Sequence, residues 1–260
     1  MEKIMLLSFD DGTVHDGRFV ELLNRFHIPC TFNLNSGLED FVWEYKGRPV
    51  VRQKLADTVE LYRGHEIASH TLTHPYMDSL SDGELYRQLG EDKRNLEVMF
   101  GREVAGFAVP FDYYDDRIAR CAEKCGFEYA RTSDVTLSYT PCRDWYHWKT
   151  GVYHVMPELM PYVAGFLKTN EELALCQIVG HSYDLFTENL WDSMESICAK
   201  IGEHDEIWKC THLELVRYLK AMEQAEVSDE AVYNGSDRCL WFCIQGQIVA
   251  IQPREQKMIK

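Results

Sequence analysis

The most constraining feature of the sequence is a short apolar run that ends on two adjacent acidic residues. Residues 4–9 predict a buried β-strand, and Asp10 and Asp11 follow directly. Aspartate is depleted in strands, and neighbouring carboxylates repel each other unless a cation or a shared proton relieves the repulsion. The pattern therefore indicates a metal or acid–base site at the end of the first strand. Taken alone, it also fits a strand-to-helix loop in which an aspartate caps the next helix.

Strand and helix patterns alternate along most of the chain. Apolar residues at helical spacing predict helices, and short apolar runs bounded by turn residues predict strands. The predicted strands are 4–9, 30–34, 65–70, 104–110, 127–132, 174–180 and 207–211; the predicted helices are 16–27, 50–63, 81–101, 115–124, 189–203 and 212–225. Residues 133–160 show no clear period, and 240–251 predict a terminal hairpin. This alternation predicts an α/β fold with a parallel sheet or barrel.

The length of the chain and its even composition predict a single domain. A chain of 260 residues is long enough for one α/β barrel, and it contains no repeat, low-complexity tract or Pro/Gly/Ser-rich linker. We expect the barrel to cover about residues 1–225 and a small β appendage to cover about 226–260.

The charge balance limits the partners and the location we expect. With 27 basic and 42 acidic side chains the net charge is -15, which argues against nucleic acid and anionic membrane surfaces as partners. No apolar run approaches the roughly 20 residues of a membrane span, and no signal-peptide pattern opens the chain. Nine cysteines without a framework spacing predict reduced thiols. These features together predict a cytoplasmic protein.

A pair of histidines is the second motif that indicates a metal site. His70 and His74 lie one helical turn apart, a spacing that suits two-point binding of a divalent metal. The motif is not that of the zincins, because Thr71 stands where those proteins need glutamate. A pair of surface histidines before Pro75 is the alternative for this motif alone. Together with Asp11, the pair forms a His-His-carboxylate set typical of catalytic zinc or iron.

The candidate functional residues lie at or just after the ends of predicted strands. In a βα barrel, functional side chains lie at the carboxyl ends of the strands, so positions far apart in sequence share one rim. The residues that this rule places together are Asp10, Asp11, His70, His74, Pro110, Phe111 and His181.

Three motifs resemble those of the NodB-like polysaccharide deacetylases. Residues 8–12 read Ser-Phe-Asp-Asp-Gly, residues 64–74 hold the histidine pair with its usual lead-in, and residues 180–183 resemble the late catalytic-histidine motif. The resemblance covers about residues 3–222. It implies a distorted (β/α)7 barrel of the NodB type, here followed by a C-terminal β-hairpin appendage. It also implies hydrolysis of the acetyl group of an N-acetylated sugar or oligosaccharide.

The resemblance also implies a role for each motif residue. Asp11, His70 and His74 would be the metal ligands, with Asp10 as general base and His181 as general acid. The expected cofactor is a divalent metal, zinc in the first place and cobalt or nickel as alternatives. Such a metal polarises the acetyl carbonyl and lowers the pKa of water. The expected partner is the N-acetylated carbohydrate substrate.

Three further positions are expected to contact the substrate or the developing oxyanion. We nominate the backbone N–H of Phe111, after Pro110, as the oxyanion donor, and Trp148 as part of a substrate wall. Many family members carry arginine two residues before this proline, where it orients the base carboxylate, but Ala108 stands here. The arginine's absence leaves the tuning of Asp10 open.

Two other functions fit the same motifs. One is hydrolysis of an O-acetyl ester or another small amide at the same site. The other is a noncatalytic carbohydrate-binding homologue, which predicts the loss of Asp10 or His181, although both residues are present.

Overall fold

A computed structural model of the chain describes residues 3–259. Within that range the chain forms two compact units, one ending at Leu213 and the other beginning at Glu214. The strands are β1 (Lys3–Asp10), β2 (Thr31–Leu34), β3 (Val42–Tyr45), β4 (Arg48–Val51), β5 (Glu66–Ser69), β6 (Gly106–Ala108), β7 (Tyr129–Val135), β8 (Trp148–Thr150), β9 (Val152–Tyr153), β10 (Ala174–His181), β11 (Ile207–Cys210), β12 (Ala225–Val227), β13 (Ala231–Asn234), β14 (Leu240–Ile244), β15 (Gln247–Ile251) and β16 (Gln256–Met258). The helices are α1 (Asp16–Arg25), α2 (Asp82–Phe100), α3 (Asp116–Lys124), α4 (Leu159–Lys168), α5 (Ser182–Thr187), α6 (Trp191–Gly202) and α7 (His212–Met222), with short 3-10 helices at Leu55–Asp57 and Val59–Tyr62.

The first unit is built on a parallel sheet with β1 near its middle. Its strand order is β8-β7-β6-β5-β2-β1-β10-β9, and every adjacent pair is parallel. Strand β11 joins from the side: residues 3–6 of β1 pair with residues 207–210, and residues 8–10 pair with residues 31–33 of β2. The predicted α/β barrel is confirmed.

The two edges of this sheet are joined through Gly151. Strand β8 pairs with β7 and strand β9 pairs with β10, yet only Gly151 separates β8 from β9 in sequence. A side chain at position 151 would begin 2.5 Å from the backbone oxygen of Gln177, so glycine allows the close approach. The chain thus bridges both edges of the sheet. With β8 and β9 counted as one position, and β11 left out because it pairs with β1 from the side, the described strands form a nearly closed barrel of seven positions, as the predicted (β/α)7 fold requires.

Burial on both faces explains the composition of β1. All its residues from Ile4 to Asp10 are buried, as expected for a parallel strand covered by helices. Helix α1 packs its apolar side, including Phe19 and Leu23, into the same core. Each fully buried large side chain of this kind stabilises the fold by about 1.5–3 kcal/mol.

Several regions differ from the sequence prediction, among them helix α4, for which the sequence predicts no element. The predicted helix 50–63 is wrong: residues 48–51 form strand β4, which pairs with β3 as an antiparallel hairpin, and two 3-10 helices follow. Residues 133–160, where no period was visible, contribute the end of β7 and the short strands β8 and β9. Strands of two or three residues are too short to produce a recognisable pattern.

The second unit contains small antiparallel sheets. Strands β12, β13 and β16 form one sheet, and β14 and β15 form the predicted terminal hairpin, with Leu240 opposite Ile251. Our expectation that the chain is a single domain stays a prediction. Among the helices in residues 3–259, none has both the length and the hydrophobicity of a membrane-spanning segment.

Candidate active site

The carboxyl ends of β1, β5 and β10 meet at one edge of the barrel. Asp10 at the end of β1 is in register with Asn33 of β2 on one side and with His181 of β10 on the other. His70 follows the last residue of β5 directly, and Asp11 follows the last residue of β1. Strand pairing therefore brings together residues that are up to 171 positions apart in sequence.

Asp11, His70 and His74 form a compact set of atoms that could hold a metal ion, called here the metal-ligating set. One atom from each lies within 4.8 Å of the others. The Nε2 atoms of His70 and His74 lie 3.8 and 3.6 Å from Oδ1 of Asp11. Nδ1 of His70 donates to the carbonyl oxygen of Ala108 at 2.8 Å, which leaves the lone pair of Nε2 facing the carboxylate. Burial lowers the pKa of His70 to about 3, so this imidazole is neutral, the form that binds metals.

Arg52, which follows the β3–β4 hairpin, holds Asp11 from another side. Its Nη2 donates to Oδ1 of Asp11 at 2.7 Å, and its Nη1 donates to the Asp11 carbonyl at 2.5 Å and to Oδ1 of Asn35. Burial alone would raise the pKa of Asp11, but the charges of Arg52 and the nearby histidines hold it far below its usual range. Asp11 is thus a permanently ionised carboxylate in a buried position.

Asp10 is held by two donors from other strands. Nη2 of Arg131 lies 2.6 Å from each of its carboxylate oxygens, and Nδ2 of Asn33 donates to Oδ1 at 2.7 Å. Burial alone would raise the pKa of Asp10, yet the charge of Arg131, with smaller contributions from His70 and His181, lowers it. Asp10 is therefore ionised at neutral pH, with lone-pair capacity left on Oδ2.

His181 is oriented by a carboxylate three residues later. Its Nδ1 lies 3.0 Å from Oδ2 of Asp184 and also contacts the hydroxyl of Tyr153. Its Nε2 lies 3.7 Å from Oδ2 of Asp11, on the side of the metal-ligating set. Burial would lower the pKa of His181, but Asp184 and the two strand-end aspartates raise it. This environment favours the protonated imidazole.

Aromatic rings border the site on two sides. Phe111 stacks on Tyr76 with centroids 3.9 Å apart and meets the His74 ring edge to face at 4.6 Å. On the other side, Trp43 of the β3–β4 hairpin contacts Tyr183 at 5.3 Å. Half-exposed aromatic faces beside polar groups are typical of small-molecule sites.

Several residues at this edge have strained backbone conformations. Asp11, Thr71, His74 and Phe111 all have positive φ angles, of 82°, 69°, 52° and 57°. Thr71 is the most unusual, because β-branched residues rarely enter the left-handed region. Such residues cost of order 1–3 kcal/mol each, and they cluster at functional sites.

Two of the nominated residues have different surroundings. Phe111 is 39% exposed, and its N–H donates to no acceptor within residues 3–259, whereas Pro110 is buried. The prediction for Trp148 needs correction: its side chain is fully buried, and its Nε1 donates to Oε1 of Gln177 at 2.9 Å. Trp148 is therefore a core residue, with no surface open to a substrate.

Sequence reasoning missed several residues that hold this site. Arg131, Asp184 and Arg52 each pair with one of the predicted residues. A charged residue inside the predicted buried strand 127–132 was an available signal for Arg131. Asp184 was visible as an acidic residue three positions after His181. No local pattern points to Arg52, because the apolar spacing of its segment predicts a helix.

Comparison with known proteins relates the first half of the chain to a characterised family. The sequence profile described as polysaccharide deacetylase matches residues 1–130, which is half of the chain. The chain is 27% identical over 129 residues to the peptidoglycan-N-acetylglucosamine deacetylase of Bacillus cereus, an alignment that covers 49% of this chain and 55% of that protein. The chain thus spans only about half the length of this relative.

Solved structures share the fold over most of the chain. The CE4 domain of a multidomain xylanase from the hindgut metagenome of Trinervitermes trinervoides is 16% identical, with a TM-score of 0.58 and coverage of 85% of this chain and 93% of that one. A CE4-family pseudoenzyme from Bacillus anthracis is 18% identical, with a TM-score of 0.53 and coverage of 83% and 66%. At these identities the likeness concerns the fold alone.

Proposed function

The chain belongs to the polysaccharide deacetylase family, and from this membership we propose that it hydrolyses the acetyl group of an N-acetylated sugar or oligosaccharide. The reaction is the attack of water on the acetyl carbonyl, which releases acetate and the amino sugar. Asp10 is the proposed general base and His181 the proposed general acid. Asp11, His70 and His74 are the proposed ligands of a divalent metal.

One observation carries this proposal. A single carboxylate, Asp11, lies 3.6–3.8 Å from three imidazoles that come from two different strand ends. Beside it stands Asp10, a second carboxylate with its own separate donors. This arrangement separates a metal-binding carboxylate from a proton-accepting one.

The donor set fits a divalent metal. Two neutral imidazole nitrogens and a carboxylate oxygen are the ligands of catalytic zinc sites, which keep further positions open. When bound there, the metal would polarise the acetyl carbonyl and acidify water. Zinc is our first expectation, with cobalt or nickel as alternatives.

The chain's own residues would move the protons. Asp10 is ionised and keeps lone-pair capacity on Oδ2, so it can accept the proton of the attacking water. Nε2 of His181 faces the same side, while Asp184 holds Nδ1. The protonated imidazole can then donate to the leaving nitrogen, since an amine is too basic to depart as an anion.

Other groups at the rim would bind and orient the substrate. The backbone N–H of Phe111, which has no acceptor within residues 3–259, is the proposed donor to the developing oxyanion, since the Phe111 ring contacts His74. The ring of Phe111, which contacts His74, and the ring of Trp43, which contacts Tyr183, would give a sugar ring apolar surfaces to pack against. These rings support a carbohydrate as the proposed substrate.

Acetate release with separate measurement of bound metal tests the proposal. Purified protein is stripped with a chelator, reloaded with zinc, cobalt or nickel, and assayed on chitooligosaccharides. We expect Asp10→Asn to abolish turnover while keeping bound metal, and His74→Ala to lose both. Asp192→Asn and His204→Ala, at solvent-exposed positions on or near α6, serve as matched controls. Normal turnover by Asp10→Asn would contradict the assignment of the base.

The same assay separates the alternatives. Acetate released from O-acetylated but not from N-acetylated sugars would identify an esterase. Carbohydrate binding without acetate release from any substrate, by metal-loaded protein, would identify a noncatalytic homologue. Retention of both Asp10 and His181 favours the hydrolase over the noncatalytic alternative.

A further inference from the structure

A buried guanidinium shares an oxygen with the metal-ligating set. Nη2 of Arg52 donates to Oδ1 of Asp11 at 2.7 Å, and the two side chains are 7% and 6% exposed. The same Oδ1 lies 3.8 Å from Nε2 of His70 and 3.6 Å from Nε2 of His74. A divalent metal held by these three ligands would therefore share a carboxylate oxygen with a cation of the chain itself.

Arg52 is fixed in this position by several buried contacts. Its Nη1 donates to the carbonyl oxygen of Asp11 at 2.5 Å and to Oδ1 of Asn35. Nδ2 of Asn35 in turn donates to the carbonyl oxygen of His70 at 2.5 Å. The ring of Trp43 covers the guanidinium, with its centroid 5.4 Å from the central carbon. Because withdrawal would leave buried polar groups without partners, we expect the guanidinium to stay beside a bound metal.

The formal charges around the set already cancel. Asp11 is paired with Arg52, and the second carboxylate, Asp10, is paired with Arg131 at 2.6 Å. A divalent cation would therefore enter a buried group of two anions and two cations. Its repulsion from the guanidiniums offsets part of its attraction to the carboxylates.

Removal of Arg52 would have two opposing effects on metal binding. Loss of a group that orients a metal ligand weakens binding about 10–100-fold. Loss of repulsion between two unit charges about 4 Å apart strengthens it about 1,000-fold at the effective dielectric constant of a protein. The charge effect is the larger one, and it grows for a doubly charged ion. Metal binding should therefore become tighter without Arg52.

We propose that Arg52 lowers the affinity of the metal-ligating set for divalent metals, so that the metal is held weakly and exchanges readily. The inference rests on the metal ligands of the proposed function and is independent of which acetylated sugar is the substrate. The charge that sets this affinity comes from the residue that directly follows the β3–β4 hairpin.

The zinc affinity of charge variants tests the inference. The dissociation constant is measured on stripped protein by competition with a chromophoric chelator. Arg52→Met keeps the aliphatic stem and removes the charge, so it should bind zinc at least about tenfold more tightly than the wild type. Arg52→Lys keeps the charge, so its affinity should equal that of the wild type or lie below it. Zinc should also raise the melting temperature of Arg52→Met by more than that of the wild type.

One control separates this charge from others on the same hairpin, and a second neutral variant guards against misfolding. Arg48, in β4, donates to the carbonyl oxygen of Phe186 at 2.9 Å, so Arg48→Met should keep the wild-type zinc affinity. Arg52→Gln keeps an amide that can donate to the Asp11 carbonyl, and it should also bind zinc more tightly if Arg52→Met does not fold without metal.

Two results would overturn the inference while leaving the proposed function in place. One is unchanged or weaker zinc binding by a folded neutral variant. The other is equal tightening in Arg52→Lys, which would assign the effect to the shape of the side chain and not to its charge. A wild-type protein that binds neither zinc, cobalt nor nickel would overturn the proposed function as well.

Discussion

His181 and Asp184 form a hydrogen-bonded pair across one turn, with Nδ1 of the imidazole 3.0 Å from Oδ2 of the carboxylate. Asp184 lies in α5, the short helix that begins directly after His181, so the orienting group belongs to the same local segment as the residue that it orients. The other oxygen of Asp184 has no hydrogen-bond partner within residues 3–259. Asp184 therefore acts on the site through Oδ2, the oxygen that faces His181.

Loss of this carboxylate should slow the reaction without affecting metal binding. We expect Asp184→Asn to reduce kcat about 10–100-fold, because a neutral amide does not stabilise the positive charge of the protonated imidazole. Bound metal per chain should remain at the wild-type value. The matched control is Asp205→Asn, an exposed aspartate near β11. Loss of metal in Asp184→Asn would show that the pair supports the ligand set instead.

A methyl group at position 180 should displace the buried side chain of His154, which lies next to the site. A Cβ on Gly180 would lie 1.6 Å from Nδ1 of His154, a buried imidazole whose Nε2 is 3.8 Å from Asp184. Gly180→Ala should therefore destabilise the fold by about 1–3 kcal/mol and lower kcat through displaced His154. Urea unfolding and steady-state kinetics measure the two effects. Gly83→Ala, in open space on α2, should be neutral or slightly stabilising.

The buried carboxyl of Asp16 should make stability fall as pH rises through the acidic range. Burial raises its pKa to about 7, although Ser182 and Tyr62 donate hydrogen bonds to it. The unfolded chain releases this proton near pH 4, so between about pH 4 and 7 the folded state binds more protons. The free energy of unfolding should therefore decrease across that window, by up to about 4 kcal/mol.

The measurement for Asp16 is a difference between two pH profiles. Asp16→Asn removes the titration, so subtracting its profile from that of the wild type isolates this group from other buried acids such as Asp92, whose pKa burial raises to about 6. The difference should change between pH 4 and 7 and level off above pH 7. Parallel profiles throughout would mean that Asp16 titrates alike in both states.

Substitution of Trp43 should change KM, whereas substitution of Trp148 should change stability. Trp43 borders the site, so Trp43→Ala should raise KM about 3–10-fold with little change in stability. Trp148 is in the core and donates to Gln177, so Trp148→Phe should destabilise the protein by about 1–3 kcal/mol and leave KM unchanged. A higher KM in Trp148→Phe would contradict this and indicate that Trp148 contacts the substrate.

The first and last site motifs were readable from sequence because each sits at the end of an eight-residue strand, β1 or β10. Asp10 and Asp11 follow a buried run, and the apolar pattern of β10 ends at His181, so the barrel rule places them on one edge. Most helices were equally clear: the serine that caps α2 accepts from the N–H of Glu84, as the capping pattern predicts.

The supporting residues were not readable because they depend on pairing between strands. Arg131 is near Asp10 only through the register of β6 with β7, and no local pattern encodes register between parallel strands. Arg52 reaches Asp11 because residues 42–51 form a hairpin, whereas its segment has a helix-like distribution of apolar residues. Tertiary pairing overrode local propensity there.

The left-handed conformation of Thr71 has a consequence for engineering this protein. Threonine at a φ of 69° is disfavoured, and neighbours hold it: its N–H donates to Ser69, its hydroxyl accepts from the His74 N–H, and its carbonyl accepts from Asn35. A library screened only for heat resistance should therefore accumulate glycine at this turn, since glycine relieves the backbone penalty. Such variants would have a higher melting temperature but hold the proposed divalent metal less well, so a screen for thermal stability has to be paired with a screen for metal retention.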